Sequence, residues 1–276
     1  MEATLGVVHS ELETAYWRLF REFFDKAEKK RRWRIADDIP WERCNPKLNP
    51  AVSNVVESFC AVELYLPDYT SKILPVVRPS RGRTWFYANW GYEESKHSIA
   101  LADWLLRSGA RSEEQMTDLE SDVFQREWNL PHDSHLGMLI YAMVQELATW
   151  LNYRNLRRYA IDGEDEALST LLQYVAVDER AHFDFFRRCV QIHMEHDRDA
   201  TLEQLRRVLN NFAMPAIYDL AESRTRLAQI KELQIFDEDI YYREVYLPVL
   251  EALGVSRAEI RNRVPKKKSA ADAANS

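Results

Sequence analysis

The stretch Asp178-Glu179-Arg180-Ala181-His182 lies in the middle of a long apolar-periodic segment. On one face that segment reads Leu168, Leu172, Val175, then Glu179 and His182, then Phe186 and Val190. Steps of three and four place these side chains on a single stripe of an α-helix. A stripe that faces a core should be apolar from end to end, because a buried carboxylate without compensation costs several kcal/mol. The same interruption occurs upstream, where Glu93-Glu94-Ser95-Lys96-His97 falls within the stripe Phe86, Trp90, Glu94, His97, Leu101 and Trp104. Both segments carry Glu-x-x-His, which puts a carboxylate and an imidazole one helical turn apart and within reach of one metal ion.

Two more segments each place one glutamate in an apolar stripe. Glu63 lines up with Val52, Val56, Phe59 and Leu66, and Glu146 with Leu139, Met143, Trp150 and Tyr153. One glutamate on each of two helices, with Glu-x-x-His on each of two others, is the ligand pattern of di-iron and di-manganese bundles. The expected fold is therefore all-α, a ferritin-like four-helix bundle with additional flanking helices. Two divalent cations would neutralise the four carboxylates. Mixed carboxylate and imidazole donors suit iron or manganese, and the absence of thiolates speaks against structural zinc or an iron–sulfur cluster. Two Fe ions are expected. By spacing, Glu94 and Glu179 bridge them, Glu63 and His97 serve one ion, and Glu146 and His182 serve the other. The bland alternative is a set of independent ion pairs on the four helices.

The rest of the chain agrees with a helical protein. Its 276 residues include only seven glycines, and 29% are charged; few segments alternate as half-exposed strands do. Helices are expected at about 11–30, 51–78, 83–108, 112–128, 133–161, 165–195, 199–230, 237–252 and 256–263. Pro40, Pro46 and Pro50 make a connector after the first helix. Gly109 and Gly163 stand at expected helix C-termini, where glycine takes the left-handed conformation cheaply. One domain is expected over 1–264, its core bundle at about 51–195, with a disordered tail from 265 to 276. A net charge of −7 argues against nucleic-acid binding. The odd set Cys44, Cys60 and Cys189 fits a reducing compartment better than a disulfide framework. Met1-Glu2-Ala3-Thr4-Leu5 lacks the basic region of a secretory signal, and no apolar run approaches ~20 residues. A soluble, cytoplasmic protein without a membrane span is expected.

The motifs also carry a resemblance. Glu63-Leu64-Tyr65-Leu66-Pro67, Glu93-Glu94-Ser95-Lys96-His97, Gln145-Glu146-Leu147-Ala148-Thr149, Asp178-Glu179-Arg180-Ala181-His182 and Met214-Pro215-Ala216 resemble soluble acyl-acyl carrier protein desaturases of the stearoyl type, in a bacterial-type member. That resemblance implies an O2-dependent di-iron enzyme that introduces a cis double bond into an acyl chain on acyl carrier protein. It further implies electrons from ferredoxin and a homodimer. By position it gives Thr149 a place beside the oxygen-binding space, as a proton relay, and gives Asp178 the orienting of a ligand histidine. The alternative for Thr149 is a hydroxyl bonded to its own helix carbonyl, and for Asp178 a solvated helix acid. Ser98 and Lys96 depart from the family's usual glycine and arginine, and chain length and double-bond position do not carry over. Rival readings with the same ligands are a di-iron oxygenase that hydroxylates or N-oxygenates, and a non-catalytic ferritin-like iron binder. Candidate docking cations for an acidic carrier are Lys29, Lys30, Arg31, Arg32 and Arg34, with Arg154, Arg157 and Arg158 as a second group. Trp33 and Trp41 are candidates for an electron path, with packing the commoner role. His193 and His196 are expected to be exposed, and His132 and His135 lack acidic partners at ligand spacing.

Overall fold

Four long amphipathic segments can bury their stripes only against one another, and in the computed structural model they do. The structure describes residues 2–261, so the tail expected at 265–276 lies outside the described residues. Among them there is no strand. The bundle is built from α2 (Pro50–Glu63), α4 (Arg81–Arg107), α6 (His135–Asp162) and α7 (Glu166–His196). The long first helix, α1 (Glu2–Lys30), packs along α4 and α7. α3 (Leu66–Val77) lies on α4, and α5 (Glu113–Phe124) follows it. The remaining helices, α8 (Arg198–Asn210), α9 (Pro215–Asp219), α10 (Ser223–Glu232), α11 (Glu238–Ile240), α12 (Leu247–Ala252) and α13 (Arg257–Arg261), flank the bundle.

Side-chain caps start the bundle helices where the sequence supplies them. Asn49 accepts from Ala51 N, Ser134 from Gly137 N and Asp165 from Leu168 N. Asp165 is buried and also accepts from Trp104 Nε1 (3.1 Å) and Asn45 N (2.9 Å), which fixes the register of α4 against α7.

Three expected helices are broken. The segment 51–78 divides after Glu63, leaving that glutamate at the last position of α2, with Pro67 in the first turn of α3. The segment 199–230 divides into α8, α9 and α10, where Pro215 lacks an N–H and Glu222 is left-handed (φ +54°). The segment 237–252 holds a π-helical stretch, Tyr241–Tyr246, just before Pro248. Gly109 is left-handed as expected (φ +74°), but Gly163 is not. Glu164 takes the positive φ there (+55°), and a Cβ at Gly163 would stand 2.2 Å from Leu48 Cδ1, so the Leu48 side chain would have to shift.

Candidate metal centre

The ionisable residues in the four stripes meet at mid-bundle. Glu63 from α2, Glu94 and His97 from α4, Glu146 from α6, and Glu179 and His182 from α7 are all buried. They form two overlapping groups, Glu63, Glu94, His97 and Glu179, and Glu94, Glu146, Glu179 and His182. In each group one donor atom per residue lies within 4.8 Å of every other. Glu94 and Glu179 belong to both, the position that the sequence reading gives to bridging carboxylates.

Both imidazoles point the same nitrogen inward. His182 Nδ1 lies 3.1 Å from Glu94 Oε1 and 3.4 Å from Glu146 Oε2, and His97 Nδ1 lies 3.4 Å from Glu94 and Glu179 oxygens. These approaches lack hydrogen-bond geometry: His97 Nδ1, His182 Nδ1, Glu94 Oε1 and Glu179 Oε1 are buried without a hydrogen-bond partner. Four bare donor atoms, drawn from a set of carboxylates and imidazoles, fit two divalent cations. The two groups are compatible with a di-iron site.

The outward nitrogens are held by carboxylates. His97 Nε2 faces Asp178 Oδ2 at 3.4 Å, and His182 Nε2 donates to Glu93 Oε2 at 2.7 Å. Arg31 binds both acids, and Arg32 donates to Glu93 at 2.6 Å. Trp33 Nε1 donates to Asp178 Oδ2 at 2.8 Å. Asp178 therefore stands between His97, Trp33 and Arg31, while Arg31 and Arg32 turn inward rather than forming a free docking surface. Glu93 is a residue that the sequence reading passed over. Its signal is present, since an acid precedes the ligand-type glutamate in both motifs, Glu93-Glu94 and Asp178-Glu179. The pairing is crossed between helices, α4 acid to α7 histidine and the reverse.

Proton affinities follow from this crowding. Burial raises the Glu63 carboxyl well above the usual carboxylate range, and Glu94 and Glu179 add to it. Burial and Glu179 do the same to Glu146. For His97 and His182 burial opposes charge, but the surrounding carboxylates prevail and both are pushed well above an ordinary imidazole. Burial opposes charge on Glu94 too, yet the two imidazoles hold it below its usual range. Asp178 is held down to about 2 against burial by His97 and Arg31. Without a cation the cluster balances itself with protons.

The terminal glutamates each receive one further hydrogen bond. Trp90 Nε1 donates to Glu146 (3.0 Å), and Tyr153 OH donates to Glu63 (2.5 Å). A cavity of about 320 Å³ reaches Glu63, Glu94, Glu146 and Glu179 at its inner end. Its walls include Phe59, Val62, Ile217 and Leu227, and Lys231 and Glu238 line it elsewhere. Thr149 lines it too, with its hydroxyl donating to Gln145 O at 2.9 Å, the alternative weighed from sequence. Trp41 donates to Ile35 O, away from the cluster. His193 departs from expectation: it is drawn inward to Tyr16 OH (2.5 Å), while His196 is exposed. His135 has a basic partner, Arg83.

Comparison with known proteins follows the same line. The family described as fatty acid desaturase matches residues 54–275. DesA1 of Mycobacterium tuberculosis, provisionally named an acyl-(acyl-carrier-protein) desaturase, is 24% identical over 220 residues, which are 76% of this chain and 64% of that protein. The chain thus spans less than two thirds of that relative's length. The chloroplastic stearoyl-(acyl-carrier-protein) 9-desaturase of Helianthus annuus is 30% identical over 150 residues, 50% of this chain and 37% of its own. Among solved structures, Mycobacterium tuberculosis DesA2 superposes with a TM-score of 0.67 at 16% identity, covering 92% of this chain and all of that one. An R2-like ligand-binding oxidase with a reconstituted Mn/Fe cofactor gives 0.61 at 18% identity, over 87% of this chain and 94% of the other. These two superpositions show the shared fold.

Proposed function

Because the chain belongs to the fatty acid desaturase family, we propose that it is an O2-dependent di-iron desaturase that introduces a cis double bond into an acyl chain presented on acyl carrier protein. The observation that carries this reading is the largely apolar cavity lined also by all four clustered glutamates. Glu63, Glu94, His97, Glu146, Glu179 and His182 would hold the two irons. Bound there, the irons would supply O2 activation and the oxidising power to remove two hydrogens from adjacent methylenes, a step beyond acid–base chemistry.

The chain's own groups do the positioning. Asp178 and Glu93 fix the ring orientation of His97 and His182, so that Nδ1 faces the centre. Apolar walls hold a methylene chain and keep water from it. Thr149, one turn beyond Glu146, lies at the cavity wall and would move a proton there by turning its hydroxyl away from Gln145 O. Two electrons are drawn from a ferredoxin-type donor, and Trp33, bonded to Asp178, which faces His97, supplies a connected path. Lys29 and Lys30 remain exposed for an acidic partner.

A homodimer is supported by the outer face of α4. Trp85, Tyr92, Ile99 and Leu106 are 50, 54, 51 and 36% exposed at seven-residue steps, with Ala88, Ser95 and Ala102 between them. Such a seam of large and small residues is self-complementary for two antiparallel copies. Tyr92→Glu is expected to convert dimer to monomer in sedimentation, and a monomeric unsubstituted protein would overturn the assignment. A cytoplasmic setting agrees with three free cysteines and with the finding that no helix among the described residues is long and apolar enough to cross a membrane.

The decisive experiment loads the protein with iron, reduces it without air, and admits labelled O2 with a panel of acyl carrier protein thioesters. Products that have lost two hydrogens and carry no label are expected. Label retained in the product would replace desaturation with oxygenation.

A further inference from the structure

The polar groups in the cavity wall differ in how far the protein itself satisfies them. Tyr69 OH donates to Val62 O (3.0 Å), Tyr241 OH to Leu209 O (2.8 Å) and Tyr153 OH to Glu63 (2.5 Å), so these hydroxyls are committed to the fold. Outside the carboxylate cluster, Asn152 carries the buried cavity-wall atom left without a partner. Its side chain lines the cavity and the residue is only 3% exposed. Its Oδ1 has no hydrogen-bond partner, and its Nδ2 has only the weak acceptor Met214 Sδ, at 3.7 Å.

A buried amide atom left without a partner costs about 1–3 kcal/mol, and a plain polymethylene chain in the cavity offers it nothing. An aliphatic wall residue would serve such a chain better at this position. Asn152 lies six residues beyond Glu146 on α6, about 9 Å further along the helix axis. The amide is therefore offset from Glu146 along the helix, at a fixed depth in the cavity wall.

We propose that Asn152 is a specificity-determining residue, and that the cavity takes an aliphatic chain bearing a hydroxyl or amide at the depth of Asn152 rather than an unsubstituted alkyl chain. An amide side chain both accepts and donates, so its best partner does the same, as a hydroxyl or secondary amide does. Two sources share that chemistry: a substituent on the acyl chain itself, or the amide of a pantetheine arm drawn inward behind a short acyl group. The inference rests on the acyl-chain reading of the cavity.

The experiment measures calorimetric dissociation constants of the purified full chain for dodecanoic acid, for its monohydroxy isomers with the hydroxyl walked along the chain, and for pantetheine thioesters of increasing acyl length. One hydroxyl position, or one short thioester, is expected to bind about tenfold tighter than its neighbours in the series. A peak in the first series assigns the substituent, and a peak in the second assigns the arm. In Asn152→Leu that peak is expected to vanish, dodecanoic acid to bind more tightly, and the unliganded protein to unfold at a higher temperature. Chains that bind with both series flat, or a peak that survives in Asn152→Leu, overturn this inference alone. A fall in stability in that variant marks Asn152 as structural and also overturns it. If no chain of any kind binds, the acyl reading itself fails.

Discussion

Two buried clusters of titratable side chains lie in this helical body, and they are built oppositely. At mid-bundle, four glutamates and two histidines gather with no cation of the chain among them, and both inward imidazole nitrogens are bare. Toward the other end, Tyr16, Arg83, His135 and His193 come from α1, α4, α6 and α7. There Arg83 donates to the ring of His135 (2.7 Å) and to Glu13 (2.7 Å), while Tyr16 bonds His193. Burial and Arg83 push the His135 imidazole down to about 3 and that of His193 down to about 4. In the first cluster the histidines are pushed up. The contrast teaches that histidine burial does not mark a ligand site. A surplus of carboxylates over the chain's fixed cations is what makes the mid-bundle cluster compatible with metal, whereas a cluster with its own arginine repels a further cation.

The comparison is broken most severely by Glu179→Ala, since Glu179 serves both donor groups. Metal analysis after anaerobic loading is expected to fall from about two irons per chain to less than one, with activity lost, and full occupancy would sink the shared-ligand assignment. Loading should also depend steeply on pH. The raised proton affinities of Glu63, Glu146, His97 and His182 mean that metal must displace protons, so binding strengthens as pH rises and weakens about tenfold per unit for each proton released. Proton release measured during titration checks the sign. Glu93→Gln, which weakens the acid holding His182, should reduce metal affinity about 10- to 100-fold while the fold persists.

The second cluster should respond in stability and not in metal. His135 and His193 are held neutral in the folded state, below the ordinary imidazole value of 6.5. Their contribution is whole above pH 6.5 and is lost as pH falls through about 4 and about 3, because the unfolded chain binds protons that the folded one refuses. The expected slope is on the order of 1 kcal/mol per pH unit per group, read from denaturant unfolding between pH 6.5 and 5. Smallest is Tyr16→Phe, about 1 kcal/mol from the lost hydrogen bond to His193, with iron content unchanged. A change in metal content there would erase the distinction between the two clusters.

The four-helix core and its six clustered residues were legible in the sequence because helical periodicity is local. Glu63, Glu94, His97, Glu146, Glu179 and His182 each interrupt an apolar stripe, and a misplaced charge can be read without knowing the neighbouring helix. Even the sharing of Glu94 and Glu179 between two groups could be anticipated from the motif. The crossed partners could not. On one helix Glu93 and His97, or Asp178 and His182, are four residues apart and could pair locally, but packing sends each acid to the histidine of the opposite helix. Nor could the sequence say that Arg31 and Arg32 turn inward, that Gly163 lies against Leu48 rather than in a left-handed turn, or that Asn152 Oδ1 lacks a partner. Periodicity determines which face of a helix is buried. Which side chains then meet depends on distances between segments far apart in the chain, and only the packed tertiary structure decides those.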